Sequence, residues 1–274
     1  MLKILTEEDK RHWDRDGAIW PIDLLGESLA CDYYSRFEKL EKSMEGEVQD
    51  KFKIKAHLPF PWLWDLVTNS RLADVIEDLI GPNIVCWGSS FFTKKARDPR
   101  FVSWHQDSTY YGLDPPESIT AWIAFTEANR ESGCMKILPG SHKGPSLLPH
   151  EETFEKNNLL ARGQTIKGID ERAGLEMPLK AGQMSIHHNR TIHSSEPNRS
   201  SWPRVGYAVH FAASNVRQTQ FKSASAIQIR GEDPDKNWLE DPYPDFELSP
   251  ESVKAVEQYW ERYRTAMTAQ HIAN

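Results

Sequence analysis

An imidazole and a carboxylate in the middle of this sequence are the side chains best suited to chemistry. They stand two positions apart in Ser103-Trp104-His105-Gln106-Asp107. In an extended chain, side chains at i and i+2 point to the same side. His105 and Asp107 can therefore bind the same metal ion. A second imidazole would complete a facial triad, a ligand set that leaves the opposite face of an octahedral ion open.

A bare His-x-Asp pair is weak evidence by itself. With ten histidines in the chain, about one such pair is expected by chance. A second copy, His12 to Asp14, falls in a predicted helix. Residues two apart on a helix point in divergent directions and cannot converge on one ion. We interpret His12 and Asp14 as solvated surface residues, and keep His105 and Asp107 as the candidates.

The third ligand is expected from the segment 182–204, where His187, His188 and His193 compete for the role. His187 and His188 are adjacent and would point to opposite faces of a strand, so at most one of them can face a pocket. His193 lies at the end of the strand, beside serine and asparagine residues that can fix its second nitrogen. A structural role is the preferred interpretation of His187 and of His188, and the alternatives are a place behind the metal ligands or one facing the substrate.

The elements that must position these residues are strands. From Asn83 onward, β-branched and aromatic runs alternate with Gly, Pro, Asn and Ser clusters, and the runs are IVCWGSSFF, SITAWIAF, CMKIL, GQMSIHH and VGYAVHFAA. This pattern predicts an antiparallel sandwich or barrel. Residues 144–180 carry few strand signals and are numerous enough to form a lid or an insertion over an opening.

Helices are predicted on both sides of this β-rich region. Thr6 and Asp9 resemble a capping box for a first helix that ends at Gly17, and a strand is expected near 18–22. Shorter helices are expected at 62–67 and 72–79. Residues 27–47 predict a longer helix, whose apolar face would consist of Leu29, Tyr33, Phe37 and Leu40. A last helix should open at Ser249-Pro250, with an apolar face of Val253, Val256, Trp260, Tyr263 and Met267.

The composition is typical of an ordinary globular protein. The chain has 274 residues, of which 39% are hydrophobic and 27% charged, and its net charge is -7. An acidic chain gives no electrostatic reason to expect nucleic acid or an anionic membrane, so a small-molecule partner is expected and the oligomeric state is left open. We find no signal peptide or membrane span and expect a cytoplasmic location. Cys31, Cys86 and Cys134 lie outside any C-x-x-C pattern and are expected to be buried free thiols.

Four blocks, in this order, resemble the phytanoyl-CoA dioxygenase-like branch of the Fe(II)/2-oxoglutarate-dependent oxygenases: SWHQDSTYYGL, TAWIAF, SGCMKILPGSHK and HSSEPNRSSWPRVGYAVHF. The resemblance covers roughly residues 83–213. It implies a mainly β protein with flanking helices around a double-stranded β-helix (jelly roll, cupin-like) core. We expect a single domain over 1–274, with a helical part at about 1–82, the core at about 83–215, and a tail and helix at 216–274.

The resemblance also implies roles for individual residues. His105, Asp107 and His193 would be the catalytic iron ligands. Arg204, eleven residues after His193, would bind the distal carboxylate of 2-oxoglutarate, a task that suits a bidentate guanidinium. Arg199 is an alternative anchor, although its polar turn suggests a solvated charge.

Further residues are weaker candidates. Ser195, Trp122 and Gln106 match family positions near the co-substrate, but Ser195 could be a turn residue and Trp122 ordinary sheet core. Tyr110 and Tyr111 follow the His-x-Asp turn closely enough to line a substrate pocket, with core packing as the alternative. Lys94, in a short basic run, could receive an anionic substrate or simply be a solvated charge.

The implied cofactor and co-substrates are Fe(II), 2-oxoglutarate and O2. The implied reaction is hydroxylation of an unactivated C–H bond of a small-molecule metabolite, with release of succinate and CO2. Asp107 favours oxygen transfer, because relatives that install chlorine lack this carboxylate. The alternatives are desaturation or cyclisation with the same cofactors, or a cupin-like metal enzyme or sensor that does not use 2-oxoglutarate. No segment resembles a coenzyme A site, so the family name does not give the substrate.

Overall fold

The first part of the chain is mainly helical. The computed structural model describes residues 2–144, 146–160 and 162–273, with side chains described through residue 266. Its first elements are α1 (Glu7–Asp16), β1 (Ala18–Asp23), α2 (Glu27–Ser43), α3 (Val48–Lys51), α4 (Pro61–Val67) and α5 (Ser70–Ile80).

The predicted start of the chain is observed, with one error on the next helix. The Thr6 side chain and Asp9 form the capping box of α1, and Gly17 ends that helix in the left-handed conformation with φ 76°. On α2 the prediction that Leu29 belongs to the buried face is wrong, because Leu29 is exposed and Ala30 is buried. The Cβ of Ala30 faces Gly182, 3.5 Å from the place where a Cβ on that glycine would lie.

A seven-stranded sheet forms the larger wall of the core, in the order β1-β10-β5-β12-β2-β14-β15. Its pairs are antiparallel except for β14 with β15. Its later strands are β2 (Ile84–Lys94), β5 (Ile119–Ala124), β10 (Gln183–His188), β12 (Arg204–Ala213), β14 (Ser225–Arg230) and β15 (Leu239–Glu240).

A four-stranded sheet, in the order β3-β11-β6-β9, forms the smaller wall. Its strands are β3 (Val102–His105), β6 (Met135–Ile137), β9 (Leu175–Met177) and β11 (His193–Ser195). Two short pairs, β4 (Leu113–Asp114) with β13 (Arg217–Gln218) and β7 (Glu151–Glu152) with β8 (Gln164–Thr165), and the helix α6 (Ser108–Tyr111) complete this region. These two antiparallel walls form the jelly-roll core that the resemblance implied.

The two faces of the larger sheet serve different purposes. On β12, Val205, Tyr207, Val209 and Phe211 point to the main apolar core, which they share with the N-terminal helices. The intervening residues of β12, beginning with Arg204, point the other way, because successive side chains of a strand alternate between faces. That second face borders the cavity described below.

The segment 144–180 is more than a lid. It contributes β9 to the smaller sheet and forms the β7–β8 hairpin, while Leu159 and Leu160 reach the wall of the cavity. The segment does form strands, but each of them is only two or three residues long.

The last helix, α7 (Pro250–Ala273), begins where Ser249-Pro250 predicted it. Its buried face includes Val256, Tyr259 and Tyr263; the side chain of Met267 lies outside the described residues. Among the residues that the structure describes, no helix is both long and apolar enough to cross a membrane. Cys86 and Cys134 are buried free thiols as expected, but Cys31 is exposed because it lies on the outer face of α2.

A buried ion pair fastens the C-terminal part to the core. The ammonium of Lys55 lies 2.6 Å from a carboxylate oxygen of Asp241 and donates to the carbonyl of Ser225 at 2.6 Å. The ring of His57 lies 3.2 Å from the same carboxylate oxygen, and Lys55 also lies over the ring of Tyr259. Lys55, His57 and Asp241 are buried. This cluster therefore joins the segment between α3 and α4 to β14, to the residue that follows β15, and to α7.

Candidate active site

The smaller sheet brings the two candidate imidazoles face to face. His105 at the end of β3 pairs in register with His193 at the start of β11, and their ring centroids are 4.1 Å apart. Asp107 follows β3 at the entry to α6. One carboxylate oxygen of Asp107, Oδ1, lies 3.3 Å from Nε2 of His105 and 3.8 Å from Nε2 of His193. The three residues thus offer ligand atoms within 4.8 Å of one another, enough to hold a metal ion.

Backbone carbonyls fix the orientation of both rings. Nδ1 of His105 donates to the carbonyl of Ser103 at 2.9 Å, and Nδ1 of His193 donates to the carbonyl of Thr191 at 3.0 Å. A carbonyl can only accept, so each Nδ1 carries the proton and each Nε2 keeps its lone pair. Both lone pairs therefore face Asp107, which is the arrangement that a metal-binding imidazole requires.

The charge of Asp107 is stabilised by its neighbours. Burial alone would raise the pKa of Asp107, but His193, His105 and His187 outweigh it and hold that pKa well below its ordinary value. Burial, together with His105, lowers the pKa of His193 well below its ordinary value. Asp107 is therefore an anion and His193 a neutral imidazole, the forms in which these groups bind metals.

A buried guanidinium lies in the same cavity. Arg204 is 3% exposed, and no carboxylate of the described residues is hydrogen-bonded to it. Its Nη1 donates to the carbonyl of Gly133 at 2.9 Å, while its Nε has no hydrogen-bond partner among the described residues. Burial lowers the pKa of Arg204 to about 10. A buried cation without a counterion is costly, so this site is suited to an anionic ligand.

Lys94 lies behind the cavity and supports Ser195. Its Nζ donates to Oγ of Ser195 at 2.7 Å, to the carbonyl of Ser195 at 3.3 Å and to the carbonyl of Glu196. Burial and the charge of Arg204 lower the pKa of Lys94, whereas the three acceptors around Nζ match the three N–H groups of an ammonium. The expectation that Lys94 receives a substrate is wrong, because its side chain is fully buried and does not line the cavity. Ser195 does line it, and its Oγ accepts from Lys94.

Gln106, like Lys94, is an expected site residue that does not line the cavity. It follows His105 on the chain, so its side chain points away from the cavity. Its amide donates to the carbonyl of Arg190 at 2.7 Å and accepts from the backbone of Leu148 at 2.9 Å. Gln106 thus ties the loop after the short helical turn at Ser141–Lys143 to the site, which corrects the expectation of a co-substrate contact.

Aromatic and aliphatic groups form most of the wall of the cavity, whose volume is about 250 Å³. The expected residues Trp122, Tyr110 and Tyr111 are part of this wall. Sequence reasoning missed several others: Ile54, Trp87, Leu159, Leu160, Trp260 and Tyr263. Tyr263 of α7 donates its hydroxyl to the carbonyl of Tyr110 at 2.8 Å, so the last helix supports the segment that follows Asp107.

A polar row on three strands borders the carboxylate of Asp107. His187 of β10 is paired with Thr120 of β5, which is paired with His210 of β12. The hydroxyl of Thr120 lies 3.4 Å from Oδ2 of Asp107 and 3.0 Å from Nδ1 of His210. Thr120 and His210 were also missed. Thr120 lies on the same face of β5 as Trp122, and His210 lies on the same face of β12 as Arg204.

The comparisons with known proteins were made by family, by sequence and by structure. The sequence model of the family described as phytanoyl-CoA dioxygenase (PhyH) matches residues 13–206. A probable alpha-ketoglutarate-dependent hypophosphite dioxygenase of Stutzerimonas stutzeri is 31% identical over 58% of this chain and 56% of that protein. The peroxisomal phytanoyl-CoA dioxygenase of Bos taurus is 29% identical over 62% of this chain and 52% of that protein. The matched part thus spans about half the length of these curated relatives.

Solved structures extend the similarity to nearly the whole chain. The apo structure of the non-heme monooxygenase ThoJ has a TM-score of 0.84 and 25% identity, covering 96% of this chain and 99% of that one. The alpha ketoglutarate dependent carbocyclase SnoK from nogalamycin biosynthesis has a TM-score of 0.64 and 22% identity, covering 83% of this chain and 95% of that one. At that identity the likeness to SnoK concerns the fold alone.

Proposed function

This chain belongs to the phytanoyl-CoA dioxygenase family of Fe(II)- and 2-oxoglutarate-dependent oxygenases, and on that premise we propose that it hydroxylates a C–H bond of a carbon-rich small molecule. Fe(II), 2-oxoglutarate and O2 are the cofactor and co-substrates of this chemistry. The observation that carries the proposal is that one cavity holds both a His-Asp-His cluster and a buried guanidinium whose Nε has no hydrogen-bond partner among the described residues.

The residues present fit the iron. His105, Asp107 and His193 would hold it, since two imidazoles with free Nε2 lone pairs and one carboxylate are the donor set of non-haem Fe(II) oxygenases. When bound, iron and 2-oxoglutarate together supply an oxidant derived from O2, with succinate and CO2 as the other products.

Other residues of the same cavity fit a dicarboxylate. Arg204 would bind its distal carboxylate, because a buried guanidinium with an unpartnered Nε needs an anion. Ser195 would donate its hydroxyl proton to that carboxylate, while Lys94 holds the oxygen from behind. Trp122 provides a ring beside the guanidinium, with 5.3 Å between Cζ of Arg204 and the ring centroid.

The wall of the cavity supports an organic substrate. The relatives named above act, by their names, on an inorganic anion and on an acyl-CoA. Here Trp87, Tyr111, Trp260 and Tyr263 supply apolar surface around the candidate ligands. Such a wall favours a carbon-rich molecule over an inorganic anion and excludes water from the reacting C–H bond.

The test is a screen of metabolite pools with the intact chain, Fe(II), ascorbate and 2-oxoglutarate, in which succinate release and product mass are followed. We expect one substrate to stimulate succinate release and to gain one oxygen atom. A product that loses two hydrogens instead would favour desaturation or ring formation. The structurally similar SnoK is described as a carbocyclase, an enzyme that forms a ring. Turnover without succinate would favour a cupin-like enzyme, and binding without turnover a sensor. The Asp107→Ala variant should stay folded and should show no turnover with any metabolite of the screen.

A further inference from the structure

A third buried histidine faces the candidate ligands. His187 is 1% exposed, and its ring centroid lies 4.6 Å from that of His193. Neither ring nitrogen of His187 has a hydrogen-bond partner among the described residues. Its Nε2 lies 3.5 Å from Oδ2 of Asp107. Leaving a buried polar group unpaired costs free energy, and in this case Oδ2 of Asp107 is an acceptor on the side of Nε2.

On the basis of the proposed function, we propose that His187 is a positioning residue. Its Nε2–H donates to Oδ2 of Asp107 and thereby directs Oδ1 alone to the iron. The sequence pattern favours a structural role for His187, with a place behind the metal ligands as one alternative.

The two oxygens of Asp107 have different surroundings. Oδ1 faces the lone pairs of His105 and His193, at 3.3 and 3.8 Å. Oδ2 faces the hydroxyl of Thr120 at 3.4 Å and Nε2 of His187 at 3.5 Å. The carboxylate therefore has one oxygen on the side of the metal ligands and the other on the side of hydrogen-bond donors.

This division matters because coordination positions are limited. An octahedral ion with three protein ligand atoms keeps three positions for 2-oxoglutarate and O2. A carboxylate bound through both oxygens, or His187 as a fourth ligand, would occupy one of them. A hydrogen bond from His187 to Oδ2 prevents both, since it uses the imidazole N–H and one oxygen of Asp107.

Thr120 is a second donor beside the same oxygen, but it has another neighbour. A hydroxyl has one proton to donate, and Oγ1 of Thr120 lies 3.4 Å from Oδ2 of Asp107 and 3.0 Å from Nδ1 of His210. The hydroxyl of Tyr111 also lies 3.3 Å from that nitrogen. Neither ring nitrogen of His187 has a hydrogen-bond partner in the part of the chain that the structure describes, so its N–H can be directed to Asp107 alone.

The experiment compares two variants of similar size that differ in their donor. His187→Gln keeps an N–H near the position of Nε2, and His187→Met removes it. Binding of Co(II) alone is measured by calorimetry and by the visible absorption of the bound ion, neither of which needs turnover. We expect His187→Met to bind Co(II) 10–100-fold more weakly and with an altered spectrum, as for other residues that orient a metal ligand. His187→Gln should recover most of the affinity.

The matched control is His188→Gln, on the same strand. The ring of His188 packs near Trp13 and His142, away from the candidate ligands. We expect Co(II) binding to be unchanged in this variant. Unfolding of the metal-free proteins, followed in parallel, separates a general loss of stability from a specific loss of metal affinity.

The outcomes separate this inference from the proposed function. Wild-type Co(II) binding by Asp107→Ala would overturn both. Loss of binding in Asp107→Ala, with wild-type affinity and spectrum in His187→Met, would overturn only the role of His187, as would equal losses in His187→Met and His187→Gln. If His187→Met does not fold, ring ¹⁵N spectra of the unaltered protein decide: a proton on Nε2 of His187 is expected, and a proton on Nδ1 overturns the inference.

Discussion

The guanidinium of Arg204 lies over the ring of Trp122, with 5.3 Å between Cζ and the ring centroid. Gly206 makes this arrangement possible, because a Cβ at that position would lie 1.9 Å from the ring of Trp122. The neighbouring strands β5 and β12 thus place a cation, a ring and a glycine side by side on the cavity face. The position of the guanidinium therefore depends on Gly206, a residue that does not itself line the cavity.

Gly206→Ala should weaken the binding of 2-oxoglutarate. The added methyl group displaces the ring of Trp122, and with it the surface on which Arg204 lies. We expect an overpacking cost of about 1–3 kcal/mol in the free energy of unfolding, together with a higher dissociation constant for 2-oxoglutarate by calorimetry. Adding Trp122→Phe should restore part of the stability, because it removes the ring atoms that the methyl meets. No coupling between the two changes would show that they act independently.

Arg204→Leu should raise the requirement for 2-oxoglutarate. Removing one partner of a buried charge pair costs about 2–5 kcal/mol, a change of roughly 30-fold or more in the dissociation constant. The measurement is the 2-oxoglutarate concentration that gives half-maximal succinate release. Arg199→Leu is the control, since Arg199 is exposed and does not line the cavity. An unaltered requirement in Arg204→Leu would assign the anchor to another residue.

Lys94→Met should also weaken 2-oxoglutarate binding, but by less. Without Lys94, Oγ of Ser195 loses the donor that lies 2.7 Å away, and its own proton is no longer directed to the cavity. We expect a severalfold rise in the dissociation constant for 2-oxoglutarate and unchanged Co(II) binding. The neighbouring Lys95→Met is the control, because Lys95 is exposed and pairs with Glu47 at the surface. Equal effects of the two changes would exclude a specific role for Lys94.

Asp241→Asn should destabilise the fold without involving the metal. It leaves the fully buried ammonium of Lys55 without its counterion, and breaking a buried pair in this way costs about 3–5 kcal/mol. The free energy of unfolding in denaturant measures this loss. Asp32→Asn, which breaks an exposed pair with Arg36 on one helix face, should change it by about 0.5 kcal/mol or less.

The same pair predicts a dependence of stability on pH. Burial alone would raise the pKa of Asp241, but Lys55 and His57 outweigh it and lower that pKa to about 2. An unfolded aspartate titrates near 3.9. The stabilisation is therefore complete above about pH 4 and is lost as the pH falls toward about 2. In this range the unfolding free energy of Asp241→Asn should fall less steeply than that of the wild type. Parallel curves would show that Asp241 is not the titrating group.

The face of a residue on its strand could be predicted from the sequence. The i, i+2 spacing of His105 and Asp107 placed both at the cavity, and the same rule explains why Gln106, one residue further than His105, points away. Applied to β12 and β5, the rule would also have indicated His210 and Thr120, which lie on the faces of Arg204 and Trp122. These two residues were missed because nothing in their local sequence suggested chemistry.

Long-range packing could not be predicted. The pairing of His105 with His193 depends on the register of two strands that are far apart in sequence. Likewise, the positions of Trp260 and Tyr263 at the cavity depend on where α7 docks on the sheet, and an apolar helix face does not specify its partner. Lys94 is buried and its neighbour Lys95 is exposed. The sequence could not show which of the two is buried, because that depends on which face of β2 points into the protein.

The most direct measurement of the central proposal is a crystal structure of the protein loaded anaerobically with Fe(II) and 2-oxoglutarate. We expect one iron ion bound by Nε2 of His105, Nε2 of His193 and one oxygen of Asp107, with the distal carboxylate of 2-oxoglutarate on the guanidinium of Arg204. Iron bound to other side chains, or a 2-oxoglutarate carboxylate that does not contact Arg204, would contradict it.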